Sequence, residues 1–169
     1  MCMKYVNVTV DCYQSVIKLD NNSILSLNGP CDAVKFKKIG DRSYIGGFFV
    51  VTHVNLLGTN KEENKDKSLL ERKGKLEVTV RLTRCDKVED RQIGFDLDKF
   101  VVDPYSDENK NNIHKACFPY FNYKRVTQVN NVELPLGEGT YVIKVLVRDL
   151  SEERQTIQAM TYLRIASED

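Results

Sequence analysis

Tryptophan is absent from this 169-residue chain, alanine occurs only four times and proline four times. With so little of the best helix former, a helical bundle is a poor expectation. No apolar run approaches the roughly 18 residues that a membrane-spanning helix needs, so no membrane is expected as a partner. The five cysteines, Cys2, Cys12, Cys31, Cys85 and Cys117, are odd in number and widely spaced, with no Cys-x-x-Cys pair. That pattern argues against a secreted disulfide framework and against a zinc ribbon. Met1-Cys2-Met3-Lys4-Tyr5 runs straight into strand-like alternation without an apolar leader core, which points to a cytoplasmic protein with reduced thiols. The sequons at Asn7 and Asn21 then read as chance.

Neither sign of charge dominates. Lys and Arg total 25 against 24 Asp and Glu, a net charge of +1, which argues against a protein that binds nucleic acid over its whole surface. Catalytic signatures are equally scarce: there is no Gly-x-Ser-x-Gly elbow, no phosphate-binding loop and no Rossmann glycine fingerprint. The two histidines, His53 and His114, stand far apart. No enzymatic activity and no cofactor are expected.

What the chain has is β-branched residues. Val, Ile and Thr number 19, nine and nine, or 37 of 169 residues. Such side chains lose rotamer freedom in helices and pack well on pleated surfaces. Val6, Val8 and Val10 alternate with polar residues, as do Leu76, Val78, Val80 and Leu82. Phe48 to Leu57 is apolar on both faces, as an interior strand would be, and Gly46-Gly47 marks a bulge or bend at its entrance. Tyr141 to Arg148 and Ile157 to Ile165 alternate on either side of the polar turn Ser151-Glu152-Glu153-Arg154, an antiparallel hairpin with Ile157, Ala159, Thr161, Leu163 and Ile165 on one face. Two stretches break this rhythm: a charged one around 60–75, read as a solvated loop with at most a helical turn or two, and a polar, then aromatic one around 103–125. The expectation is a single all-β domain over residues 1–169, an antiparallel immunoglobulin-like β-sandwich of about seven to nine strands with two long loop insertions.

The element Leu134-Pro135-Leu136-Gly137-Glu138-Gly139-Thr140-Tyr141, followed by an alternating strand, a charged turn and a closing strand, resembles the terminal hairpin of immunoglobulin-like sandwiches. Together with the Leu27-Asn28-Gly29 turn and the central apolar strand, the order of segments is similar to a family of small bacterial β-sandwich proteins of uncharacterised function. That resemblance implies a fold and no reaction.

Charge is unevenly placed along the chain. Residues 76–108 carry −4 and residues 109–132 carry +4, the latter without a single acid. The basic block interleaves with aromatics, and Lys115, Phe118, Tyr120, Phe121, Tyr123, Lys124 and Arg125 form the candidate binding segment. Stacking rings beside cations suit single-stranded nucleic acid or another ligand, but four charges are few for phosphate-driven affinity. Tyr and Arg equally anchor protein interfaces, and rings of this kind also pin long loops to a core. The leading expectation is a non-enzymatic adaptor, accessory or inhibitor that binds another protein by the 103–125 insertion and the sandwich-end loops, or itself through edge strands. In the acidic block, Asp96, Asp98, Asp103 and Asp107 are weak Ca²⁺ candidates, because Asp at i and i+2 share one face of a regular strand but no EF-hand spacing exists. His114-x-x-Cys117 offers half of a zinc site, and a Cys117–His53 nucleophilic pair has no motif behind it.

Overall fold

The computed structural model describes residues 5–18, 24–59, 67–86, 94–115, 119–134 and 137–167, leaving aside the side chains of 16–18 and 24–28. The described chain is all-β apart from one 3₁₀ turn at Lys110–Asn112. Eleven strands are described: β1 (Val6–Lys18), β2 (Ile24–Pro30), β3 (Ala33–Ile39), β4 (Arg42–Ile45), β5 (Phe48–Leu57), β6 (Leu76–Arg84), β7 (Gly94–Val102), β8 (Tyr120–Val129), β9 (Val132–Glu133), β10 (Gly139–Asp149) and β11 (Thr156–Ser167). They form a four-stranded sheet in the order β2-β1-β5-β8 and a seven-stranded sheet in the order β7-β6-β10-β11-β3-β4-β9. The inward phases meet in one core, with Val6, Val8, Val10, Phe48, Val50, Val54 and Leu56 from the smaller sheet against Leu76, Val78, Val80, Ile143, Val145 and Leu163 from the larger. That is a β-sandwich with alternating inner faces. It has more strands than the seven to nine expected, because β4 and β9 are too short to show a pattern. Nor is it wholly antiparallel: β3 runs parallel to the last residues of β11, Arg164 facing Ala33 and Ser167 facing Phe36. Strands so distant in sequence are free of the short-turn geometry that enforces antiparallel pairing.

The chain changes sheets where its punctuation falls. Gly46 and Gly47 separate β4 of the larger sheet from β5 of the smaller. Gly47 has φ +78°, and a Cβ on Gly46 would lie 2.9 Å from the Asn131 backbone nitrogen. Only glycine fits that approach, since the chain crosses back between the sheets at Asn130-Asn131. A third crossing runs through Cys31 and Asp32, between β2 and β3.

The described residues of the two expected insertions are docked on the sandwich, in contrast to the solvated loop expected of the 60–75 stretch. Residues 60–66 lie outside the described residues, but Ser68, Leu69 and Leu70 are buried, and the following turn is held by Arg72 N–H to Ser68 O at 3.2 Å. Ser68 and Glu71 form a capping box: Ser68 N–H donates to Glu71 Oε2 at 2.8 Å and Glu71 N–H to Ser68 Oγ at 3.3 Å. Thr59 Oγ1 also donates to Glu71 Oε1, at 2.5 Å. The second insertion docks on the first. Tyr105 Oη donates to Leu70 O at 2.8 Å, Lys75 Nζ lies 2.7 Å from Asp103 Oδ2, and Lys73 sits over the Tyr105 ring. The second insertion also ends earlier than expected, because residues 120–125 belong to β8.

Candidate functional site

The basic and aromatic segment is divided by strand alternation. In β8, Phe121, Tyr123 and Arg125 point between the sheets, while Tyr120, Asn122 and Lys124 take the opposite phase. Phe121 is 1% exposed in the core and offers no surface, a correction to its expected contact role. Tyr123 packs against the core and stacks on Phe100 of β7, ring centroids 5.8 Å apart. The Arg125 guanidinium lies over the Phe100 ring, 5.4 Å from its centroid, and its Nε is 3.0 Å from Asp98 Oδ2. Tyr120 stacks on His114 at 4.4 Å, and the two residues exchange backbone hydrogen bonds of 2.9 and 3.1 Å. Lys115 and Lys124 are exposed, and Phe118 and Cys117 lie outside the described residues. Six of the seven candidate residues are therefore described, and they face three different environments. The runs of bases and rings that adjoin in sequence do not assemble into one stacking platform.

The four aspartates are separated in the same way. A bulge opposite Val80–Arg81 inserts Leu97 as an extra residue, so Asp98 faces Val80 while Asp96 faces Arg81. The two carboxylates point to opposite faces, and the shared-face expectation fails because a bulge breaks the period of two. Each aspartate has its own cation. Arg81 Nε stands 2.6 Å from Asp96, Lys75 holds Asp103 and Lys110 Nζ is 2.8 Å from Asp107. Asp98 takes Arg125 and a 2.6 Å hydrogen bond from Thr127 Oγ1. Among the described residues no three His, Cys, Asp or Glu side chains gather as metal ligands would. At Asp98 burial raises the carboxyl pKa, but hydrogen bonds from Arg125 and Thr127 outweigh it and hold it below its ordinary value. His53 is half-buried on the outer face of β5, opposite Lys124; burial and that ammonium lower its pKa, Asp11 opposing them.

The residues that sequence reasoning passed over lie on the outer face of β10 and β11. Val145 faces Ala159, but Leu146 faces Ile157, so Gln158 is a bulged extra residue. Ile157, expected in phase with Ala159 and Leu163, is turned outward by that bulge. It joins Met160 and Tyr162 in an apolar stripe, with exposures of 50%, 58% and 67%. Across the ladder Tyr162 faces Val142, Met160 faces Lys144 and Ile157 faces Leu146. Lys144 sits within the stripe and Arg164 continues it, and neither has an ion pair among the described residues. Asp96, exposed nearby, is already neutralised by Arg81. This face therefore combines exposed apolar area with uncompensated positive charge. The signal was present in the sequence: Met160 and Tyr162 occupy the phase of β11 that alternation reserves for polar residues.

A depression at one end of the sandwich, lined by Arg84, Asp86, Glu138 and Arg164, is of mixed sign. Its buried Arg84 is held by Asp86 at 2.6 Å. No described helix is long and apolar enough to cross a membrane.

No family model matches the chain, and no curated protein matches it. Among solved structures, the CooA pilin subunit from enterotoxigenic Escherichia coli is similar over 95% of this chain and 99% of its own, at 11% identity and a TM-score of 0.35.

Proposed function

We propose that this chain is a non-enzymatic protein-binding β-sandwich whose contact surface is the outer face of β10 and β11. The observation that carries this reading is the stripe of Ile157, Met160 and Tyr162, three large apolar side chains at least half exposed on adjoining positions. Contiguous apolar area of this kind on a sheet face marks an interaction site, whereas single exposed apolar residues are ordinary. Tyr and Met are among the side chains enriched at interface centres. The partner is a protein segment that presents apolar side chains together with carboxylates, matched to Lys144 and Arg164 at the stripe. A second copy of the chain would set these cations against their own kind.

The reading is tested with Met160→Glu and Tyr162→Lys, made singly and as a pair. Both positions are exposed, so thermal stability stays within a few degrees of the unchanged chain. Capture of the partner from cells that make the protein falls at least tenfold for the pair, a loss of about 1.4 kcal/mol or more. Unchanged capture by the doubly substituted, folded chain contradicts the proposal.

A further inference from the structure

We propose that Cys12 and Cys31 are a dithiol site, closed to an intramolecular disulfide by a small-molecule disulfide such as oxidised glutathione. The register places them. Tyr13 faces Pro30 and Ser15 faces Asn28 in the β1–β2 ladder, so one further step sets Cys12 opposite Cys31. The backbone agrees: Cys31 N–H donates to Cys12 O at 2.9 Å. Hydrogen-bonded positions of an antiparallel pair hold their Cα atoms about 5.5 Å apart, within the span of about 4.4–6.8 Å that a disulfide bridges. Residues directly opposite each other carry their side chains on the same face of the sheet, and both thiols belong to the buried core between the sheets. Cys85 is not a competitor for either: it follows β6 in the larger sheet, with its Sγ against Thr140 O at 3.3 Å.

The surroundings set how the site reacts. Burial pushes the Cys12 thiol up to about 12, the neighbouring Cys31 and then Asp11 adding to the effect, and burial also raises Cys31. In the reduced, folded chain little thiolate is present, and attack on a disulfide needs thiolate. Closure therefore occurs as β1 and β2 come together in folding, or when that edge of the sheet opens. Hydrogen-bonded positions set their Cβ atoms wider apart than the alternate ones, so the bridge draws the strands inward and is readily reduced again. The step balances as thiol–disulfide exchange. One cysteine thiolate forms a mixed disulfide and expels one glutathione thiolate, and the second cysteine then displaces the other. Two thiol protons and two electrons pass to glutathione, and the Cys12–Cys31 bond remains.

The test uses the full chain carrying Cys2→Ser, Cys85→Ser and Cys117→Ser, refolded from urea in buffers of reduced and oxidised glutathione. Equilibrium samples are quenched in acid, alkylated and weighed. The refolded chain is expected to be two hydrogens lighter than the dithiol, to resist alkylation, and to return to the dithiol with dithiothreitol. Its effective thiol concentration exceeds that of the same chain kept in urea by roughly tenfold or more, because folding has brought the pair together. An effective concentration no higher than in urea, or glutathione adducts that persist on either cysteine, overturns the proposal. Peptide mapping of the unsubstituted chain after the same refolding gives a second reading that does not depend on the serine substitutions. A linked Cys12–Cys31 peptide is expected, and a different pairing contradicts the site.

Discussion

At the Asp98 carboxylate, burial and hydrogen bonding act in opposite directions, and hydrogen bonding wins. The group bridges the two sheets at their β7–β8 side by accepting from Arg125 and Thr127. Asp98→Asn keeps the shape but loses the charge, and a cost of about 2 kcal/mol is expected in urea unfolding at pH 7. The sign of the pH dependence follows. Asp98, Asp149 and Glu71 all have carboxyl pKa values below their ordinary ones in the folded chain. Their contribution is therefore complete above the unfolded carboxylate range of about 4, and is lost as pH falls through it toward the folded values. Unfolding midpoints should slip slightly between neutral pH and about 5, where His53 with its lowered pKa resists the proton that the unfolded chain takes up. They should decline further below that as the carboxylates protonate, and Asp98→Asn should shallow this lower part of the decline. Thr52 makes the opposite case. Its hydroxyl is fully buried and has no hydrogen-bond partner among the described residues. Thr52→Val should stabilise the fold by roughly 1 kcal/mol, seen as a higher unfolding midpoint, since an unpaired buried hydroxyl costs more than a methyl group in its place.

At the scale of elements, alternation was legible wherever a strand kept its period. Leu76, Val78, Val80 and Leu82 all face inward from β6, and the hairpin of β10 and β11 turns where Ser151 to Arg154 announce it. Gly46-Gly47 marked a bend that proved to be a change of sheet. Two departures from the expected phase share one cause, which is that a single extra residue inverts every phase beyond it. Gln158 does this to Ile157 and Leu97 does it to Asp96, and neither bulge has a sequence signature. The segment from Tyr120 to Arg125 was misread for a different reason. Its outward phase carries a tyrosine and a lysine and its inward phase an arginine, so apolar alternation is hidden by Arg125, which is neutralised by a carboxylate 27 residues earlier in sequence. Parallel pairing of β3 with β11 has no local trace at all. Two substitutions separate the strand reading of β8 from a loop reading. Phe121→Ala should cost about 3–5 kcal/mol as a core truncation, and Lys124→Ala should stay within about 0.5 kcal/mol, both measured by urea unfolding. Similar small costs at both positions would contradict the burial of Phe121.

At the scale of the whole molecule, the two stretches that break the β rhythm lock to each other. Leu69 and Leu70 enter the core, and Tyr105, Lys73, Lys75 and Asp103 tie the segments together. Arg72 joins this group to the buried Asp149 at the end of β10. Part of the uneven charge along the chain is neutralised between the acidic and basic blocks, Lys110 pairing with Asp107 and Arg125 with Asp98. Lys144 and Arg164, which have no ion pair among the described residues, lie at the exposed apolar stripe on the outer face of the larger sheet. A photo-crosslinking side chain placed at position 160 tests that face most directly, with the same side chain at position 115 as the comparison. Irradiation in cells that make the protein should give one discrete adduct from position 160, heavier than the chain by the mass of a different protein, and none from position 115. An adduct from position 115 alone, or an adduct from position 160 of twice the chain's own mass, would contradict the account.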